Sequence, residues 1–412
     1  MDVYELIIGG ARFIGFVNDT GYKDEHRIDR DGKPLLRRTT PVHQAARCSV
    51  TCVGGLIREI CQIYDEFDVN YVDETGLTHF HVACMSGCQE VVEKFLEHGQ
   101  DPNLIWQKTN DSPLHLALKH VECREVIELL LRGGADPNSV DAEGFTALHL
   151  ISKRNKDDDL VKVFFDVNEE MDNLVEIDAV DNQGRTPLYL AVANLVPRVV
   201  DAILDRGADL SSLVSLAGIN FGRGLRPWYY EKRENFKMRI AAGSLGVVER
   251  LEKRGYELVR DDALTIMKLF AEHELFEKSV DIVRLLRRNS RENEQDKWFL
   301  INAKKITVNA SLSLYDAIQL RPEEAKKQLA YTDYFEFARS DKLRGLFELH
   351  EEACVLHLCE KLSRGFFRRW AMEFLMELTR YRLPILCCGM ILEKLTNEDL
   401  WHICLATQEQ RS

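Results

Sequence analysis

Ser112-Pro113-Leu114-His115 opens a stretch that runs through Val126-Ile127-Glu128-Leu129-Leu130-Leu131 and closes on Gly134-Ala135-Asp136-Pro137-Asn138. Four similar tetrapeptides stand in the first half of the chain: Thr40-Pro41-Val42-His43, Thr78-His79-Phe80-His81, Thr146-Ala147-Leu148-His149 and Thr186-Pro187-Leu188-Tyr189. Taken in chain order, the five begin 38, 34, 34 and 40 positions apart, close to the roughly 33-residue period of a unit made of one turn and two helices. Each position has a chemical reason. A Thr or Ser hydroxyl can accept from a backbone N–H that the first helical turn leaves unpaired. Proline at the next position has no helix hydrogen bond to lose and its φ is already helical. The following Leu enters the core.

The rest of each unit agrees. Ala45, Ala83, Ala117 and Ala191 are small enough for close helix approach, and Gly99, Gly134 and Gly207 fall where the second helix ends and a left-handed cap is wanted. Asp73 with Gly76, Asp141 with Gly144, and Asp181 with Gly184 supply hairpin tips between units. Together these residues resemble ankyrin repeats, and the resemblance implies an all-α solenoid that works by holding protein partners. Leu129 and Leu130 are expected to fill the interior of the best-formed repeat. The array is expected over 38–210, after a capping segment at 1–37 that turns at Asp31-Gly32. The fourth repeat carries insertions around Lys153–Asp159 and Glu169–Glu176.

The chain has 412 residues, 45% of them apolar and 29% charged, a globular rather than a disordered composition. Its formal charge of −13 argues against nucleic acid or an anionic membrane as the main partner. The eleven cysteines are irregularly spaced, and Met1-Asp2-Val3-Tyr4-Glu5 lacks the basic flank and apolar run of a secretory signal. Reduced thiols and a cytoplasmic, or nuclear, location are therefore expected. The apolar run from Leu383 to Leu392 is about half the roughly 20 residues of a spanning helix.

Residues 211–309 read as a broken region punctuated by Gly218, Gly222, Gly224 and Pro227 and ending in Trp228-Tyr229-Tyr230, followed by a degenerate repeat. In that repeat Ala241-Ala242-Gly243-Ser244 and Val247-Val248-Glu249-Arg250-Leu251 with Gly255 look like a second helix and its cap. A helical period runs from 262 to 290, and the polar segment Asn289–Lys297 is the expected flexible connection. Residues 310–406 form a second module of amphipathic helices, with a break at Arg321-Pro322 and helices at Cys354–Glu360 and Gly365–Thr379.

Within that module, Leu383-Pro384, Ile391-Leu392, Leu395 and Asp399-Leu400 resemble the start of an F-box, in which Leu-Pro opens a short helix and Asp-Leu begins the next. The residue two positions after Pro384, acidic in F-boxes, is Leu386, and the sequence stops at Ser412 before a third helix. With these departures, and with Ser311–Asp316, His357–Lys361 and Arg364–Trp370 before it, the module resembles PRANC, the C-terminal domain of poxvirus ankyrin proteins found also in parasitoid wasps. That resemblance implies a non-enzymatic adaptor: the F-box-like end recruits the linker subunit of a cullin-RING ubiquitin ligase while the repeats hold the target. The residues implied at the linker surface are Leu383, Pro384, Ile391, Leu392, Leu395, Asp399 and Leu400. Ile391 and Leu395 are expected one helical turn apart on one face. Target contacts are expected at the tip residues Trp106, Lys108, Asn110, Glu143, Asn182 and Gln183. The alternative is a purely sequestering protein, resembling inhibitors of Rel-type transcription factors, that blocks a partner without ubiquitination. The same C-terminal leucines can also be read as an inward-packed hairpin.

Other signals are weaker. His79, His81, Cys84 and Cys88 are zinc-ligand types, but His81 already serves as the repeat histidine, whose ring can bridge neighbouring repeat loops. His273-Glu274 lacks the second histidine of a zinc hydrolase, and Gly222-Arg223-Gly224 lacks the third glycine of a dinucleotide loop. No cofactor or metal is expected. Arg364, Arg368 and Arg369, interleaved with Phe366, Phe367 and Trp370, are expected to be solvated arginines on a helix with an aromatic core face.

Overall fold

A computed structural model describes residues 12–32, 34–47, 53–120, 123–154, 159–222, 224–227, 231–276, 282–283 and 294–409. Arg223, Trp228–Tyr230, the insertion at 155–158 and most of the expected Asn289–Lys297 connection lie outside the described residues. The described chain is helical, with only isolated bridges such as Ile28 to Pro34 and Trp106 to Asp111 between extended residues. It divides into two compact units, Met1–Leu190 with Asp205–Ala208 and Ala191–Leu204 with Asp209–Ser412.

The first unit is a series of helix pairs. After a helix over 12–19 (α1) come α2 (Pro41–Arg47) with α3 (Val53–Cys61), α4 (His79–Met85) with α5 (Gln89–Glu97), α6 (Pro113–His120) with α7 (Arg124–Arg132), and α8 (Ala147–Lys153) with α9 (Leu160–Glu170). The start of α10 (Pro187–Ala193) ends the series. Asn18 Nδ2 donates to the Glu59 carbonyl and Lys23 pairs with Asp65 at 2.9 Å, so the leading segment is fastened to the first pair.

The tetrapeptides do two things at once. Thr78 and Thr146 are N-caps whose hydroxyls accept from the N–H of His81 and His149, and Ser112 accepts likewise from His115. In return the backbone N–H groups of Thr40, Thr78, Ser112 and Thr146 donate to Nδ1 of His43, His81, His115 and His149 at 3.1–3.2 Å. Because a backbone N–H can only donate, Nδ1 is the acceptor and the ring proton sits on Nε2. That Nε2–H then donates across to a carbonyl of the following turn: Leu77 from His43, Leu104 from His81, Phe145 from His115 and Arg185 from His149.

Hairpin aspartates organise the tips. Asp73 Oδ1 accepts from the N–H of Thr75 and Leu77, Asp141 Oδ1 from Glu143 and Phe145, and Asp181 Oδ1 from Gln183 and Arg185. Gly76, Gly144 and Gly184, each two residues before a cap, have positive φ. In the third repeat Asn110 takes that place at φ 58°, which Asn tolerates better than most residues. Burial alone would raise the Asp141 pKa, but Lys119 and the two backbone donors hold it below the usual carboxylate range. Lys119 bridges Asp111 at 2.6 Å and Asp141 at 2.8 Å.

The second unit is built differently. α11 (Pro197–Asp205) precedes one 21-residue helix, α12 (Arg233–Lys253), where a degenerate two-helix repeat was expected. Gly255, at φ 92°, does follow its end. Ala241-Ala242-Gly243-Ser244 lies within this helix, where Gly243 serves close approach: a Cβ there would lie 2.8 Å from the Leu195 carbonyl oxygen. Next come α13 (Arg260–Glu272), α14 (Glu294–Lys305), α15 (Leu314–Gln319), α16 (Pro322–Gln328) and α17 (Tyr331–Arg339). The two helices expected at Cys354–Glu360 and Gly365–Thr379 are one 31-residue helix, α18 (Glu348–Leu378), around which the unit is assembled. Phe366, Phe367 and Trp370 face its core as expected, and α19 (Ile385–Lys394) and α20 (Asn397–Glu409) pack on it. Arg364 is buried rather than solvated: its guanidinium donates to Asn397 Oδ1 and to the carbonyls of Leu392 and Glu393, tying α18 to both C-terminal helices.

One detail of register differs. In α7 the interior side chains are Val126, Ile127, Leu130 and Leu131, whereas Leu129 is half-buried, because the second helix presents 126–127 and 130–131 to its neighbours. Leu130→Ala should therefore destabilise the first unit by about 2–5 kcal/mol, and Leu129→Ala by less than about 2 kcal/mol, in urea titrations followed by circular dichroism. Equal losses would refute this register.

Acid should act through the histidines. Desolvation lowers the pKa of His43, His81, His115 and His149 in the folded chain, so the unfolded chain binds more protons. Their stabilisation is complete above the unfolded value of about 6.5 and is lost as the pH falls through the lower folded values. Thermal midpoints of the first unit should hold steady from pH 8 to 7 and drop between pH 6.5 and 5. A midpoint flat across that window would contradict the neutral-histidine assignment.

Candidate protein-interaction surfaces

The expected tip residues fall into two groups. Lys108, Glu143 and Gln183 are exposed, with the Lys108 ammonium over the Trp106 ring and Glu143 3.8 Å from Lys153. Trp106, Asn110 and Asn182 also fasten hairpins together. Trp106 Nε1 donates to the Thr75 carbonyl at 3.1 Å, Asn110 Nδ2 to Val140 and Asn182 Nδ2 to Ala142, each at 2.9 Å. Asn182 also lies where Gly144 leaves room, since a Cβ on Gly144 would come within 2.7 Å of Asn182 Oδ1.

Sequence reasoning missed an apolar row. Val72, Trp106, Val140 and Val180 each stand six residues before a cap, and all four retain exposure. It also missed the asparagine pairing behind the tips. Asn103 Nδ2 donates to the Gly134 carbonyl while its Oδ1 accepts from Asp136 N–H, and Asn138 makes the same pair with Leu174 and Glu176. The Asp-Pro-Asn spelling of both turns was the available signal.

His81 donates to Leu104 and His79 Nε2 lies 2.6 Å from Thr40 Oγ1. Burial pushes the Cys88 thiol up to about 11, far from the thiolate that binds metal. Among the described residues no group of three or more His, Cys, Asp or Glu is arranged to hold a metal ion.

The C-terminal surface differs from the sequence expectation in its membership. Leu392 and Leu400 are fully buried. Asp399 caps α20: its Oδ2 accepts from Thr396 N–H and Oγ1, which holds its carboxyl below the usual range. Pro384 is the residue before α19 rather than its first helical residue, and Leu395 is the extended C-cap after Lys394. Ile391 and Leu395 are therefore not on one helical face. What α19 does present to solvent is Ile385, Leu386, Met390 and Ile391, with Leu386 78% and Met390 69% exposed, beside exposed Leu383 and Pro384. Its other face, Cys388 and Leu392, is buried, and Gly389 faces Met372 of α18.

The sequence matches the family described as Ankyrin repeats (3 copies) over residues 12–106 and 114–213. This part of the chain is an ankyrin-repeat array. The match starts at α1, ahead of the first capped tetrapeptide. No curated protein matches the chain. Ankyrin repeats support a role in protein–protein interaction, and proteins built of them are generally non-enzymatic.

Within the ankyrin array, Asn182→Ala removes a hairpin-to-hairpin bond and should cost roughly 1 kcal/mol, whereas Gln183→Ala should change stability by less than about 0.5 kcal/mol. Chemical denaturation of the two variants separates these outcomes, and equal effects would make Asn182 a free tip residue.

Proposed function

We propose that the chain is a cytoplasmic or nuclear adaptor for ubiquitination, with an ankyrin array that holds a protein target and a PRANC-like, F-box-like C-terminus that engages the linker subunit of a cullin-RING ligase. The observation that supports the second half is the exposed apolar face of α19, where Leu386 and Met390 lie one turn apart. Surface patches of this kind are more typical of interaction sites than of solvated helices. The departure at Leu386, apolar where F-boxes are acidic, enlarges this face.

Leu386→Asp combined with Met390→Asp should abolish binding of the purified linker subunit by placing charge where association buries apolar surface. The circular dichroism melt should stay that of the parent, because both side chains are already in water. Leu392→Asp, inside the hairpin, should instead unfold it. Undiminished linker binding by the folded double variant would overturn the adaptor reading and leave sequestration of the target as the better account.

A further inference from the structure

A cleft of 840 Å³ opens in the second unit among α12, α16, α17 and α18, within the size range of pockets for small ligands. Its floor is apolar: Leu245 and Val248 from α12, Leu329 from the α16–α17 corner, and Leu362 and Phe366 from α18, all buried. Three further observations give the cleft a chemistry.

The first is Gly365. Glycine weakens a helix interior, and this one sits midway along α18 with no close neighbour, since a Cβ there would meet nothing within 4 Å. Gly243 and Gly246, also helical, face atoms 2.8 Å and 3.1 Å from such a Cβ. At Gly365 the missing side chain leaves the cleft open instead of admitting another element.

The second is Tyr334. Its side chain lines the cleft and is 2% exposed, yet its hydroxyl has no hydrogen-bond partner. Burying a hydroxyl unpaired is unfavourable. Desolvation pushes its ionisation upward, so it stays a neutral donor.

The third is the balance of charge. Glu252 pairs with Arg369 at 2.7 Å, Glu323 with Arg368 at 3.6 Å and Glu249 with Lys253 at 3.2 Å, while Asp333 accepts from Ala330 N–H. Lys361 Nζ donates to the Ala317 and Ile318 carbonyls. Among the described residues Lys326 and Lys327, exposed on α16, have no carboxylate at ion-pair distance. The uncompensated charges are thus the two ammoniums, on the same α16–α17 wall as the Tyr334 hydroxyl, with Gln328 and Tyr331 adding neutral polar groups beside them.

We propose that this cleft binds a single-chain carboxylate amphiphile, its apolar chain along Leu245, Val248, Leu362 and Phe366 and its headgroup against Tyr334, Lys326 and Lys327. The Gly365 gap accommodates the chain. The two unpaired ammoniums favour an anionic head over a cationic or neutral one.

The test is isothermal titration of the full-length protein with dodecanoate, with dodecan-1-ol and dodecyltrimethylammonium in parallel. Saturable uptake of one dodecanoate per chain is expected, with weaker binding of both controls. Gly365→Leu should lose this uptake while melting no lower than the parent, because leucine is the better helix former and nothing there obstructs it. Any uptake at the apolar face of α19 persists in that variant and is thereby subtracted. Tyr334→Phe should weaken binding roughly tenfold, and Lys326→Glu with Lys327→Glu should abolish the preference for dodecanoate over the alcohol. Absence of saturable uptake, equal binding by Gly365→Leu, or a neutral head bound as tightly as the carboxylate would each overturn the proposal.

Discussion

A neutral imidazole holding one proton on Nε2 is the interaction on which the first unit depends. Each repeat histidine closes its own helix by accepting the cap residue's N–H and reaches forward to a carbonyl of the next turn. One side chain thereby fixes both the start of a helix and the spacing to the following repeat. A solenoid has few long-range contacts to enforce register, so bonds between neighbours must do so. The asparagines at 103 and 138 add reciprocal amide pairs on the opposite side of each turn, and Lys119 joins the aspartates of two hairpins. In the fifth repeat Tyr189 stands where the others have histidine: its N–H donates to Thr186 Oγ1, and a phenol has no ring nitrogen to accept the cap N–H.

This logic explains why the array was legible in the sequence and the second unit was less so. Thr-Pro-Leu-His spells a local hydrogen-bond pattern, which needs no knowledge of distant neighbours. Asn110 was placed at a tip but not recognised as the stand-in for a left-handed glycine, because its role depends on backbone φ. Helix length in the second unit was less legible: α12 is one helix where a two-helix repeat was expected, and Gly365 lies inside α18 where two helices were expected. A helical glycine permits either close approach of another segment or an open space, and neither choice is written in the residues beside it. Helix content was legible; helix length was not.

The C-terminal leucines show the same limit from another direction. Ile391 and Leu392 are adjacent, so period alone cannot say which faces inward. The partner decides: α18 supplies Met372 opposite Gly389 and the buried Arg364 that binds the Leu392 carbonyl, and together they turn Leu392 in and Ile391 out. A charged side chain on an apparently solvated face thus proved to be the staple of the hairpin. Arginine suits that work, since its fork can satisfy several acceptors at once and its burial is compensated by Asn397 and two carbonyls.

That staple has a consequence for interaction. A ten-residue helix with four apolar side chains in water would be marginal alone, yet α19 is held along its inner face by Cys388 and Leu392 and at its end by Arg364. Its outward side chains contribute little to that anchorage. Folding and recognition are carried by opposite faces of one helix, so the outer face is free to be shaped by a partner without loss of the hairpin. The ankyrin array achieves the same separation differently, with Asn182 and the aspartates building the tips and Lys108, Glu143 and Gln183 left exposed on them. In both units the residues that define a surface are not the residues that decorate it, which is the physical condition for a scaffold to change partners while keeping its fold.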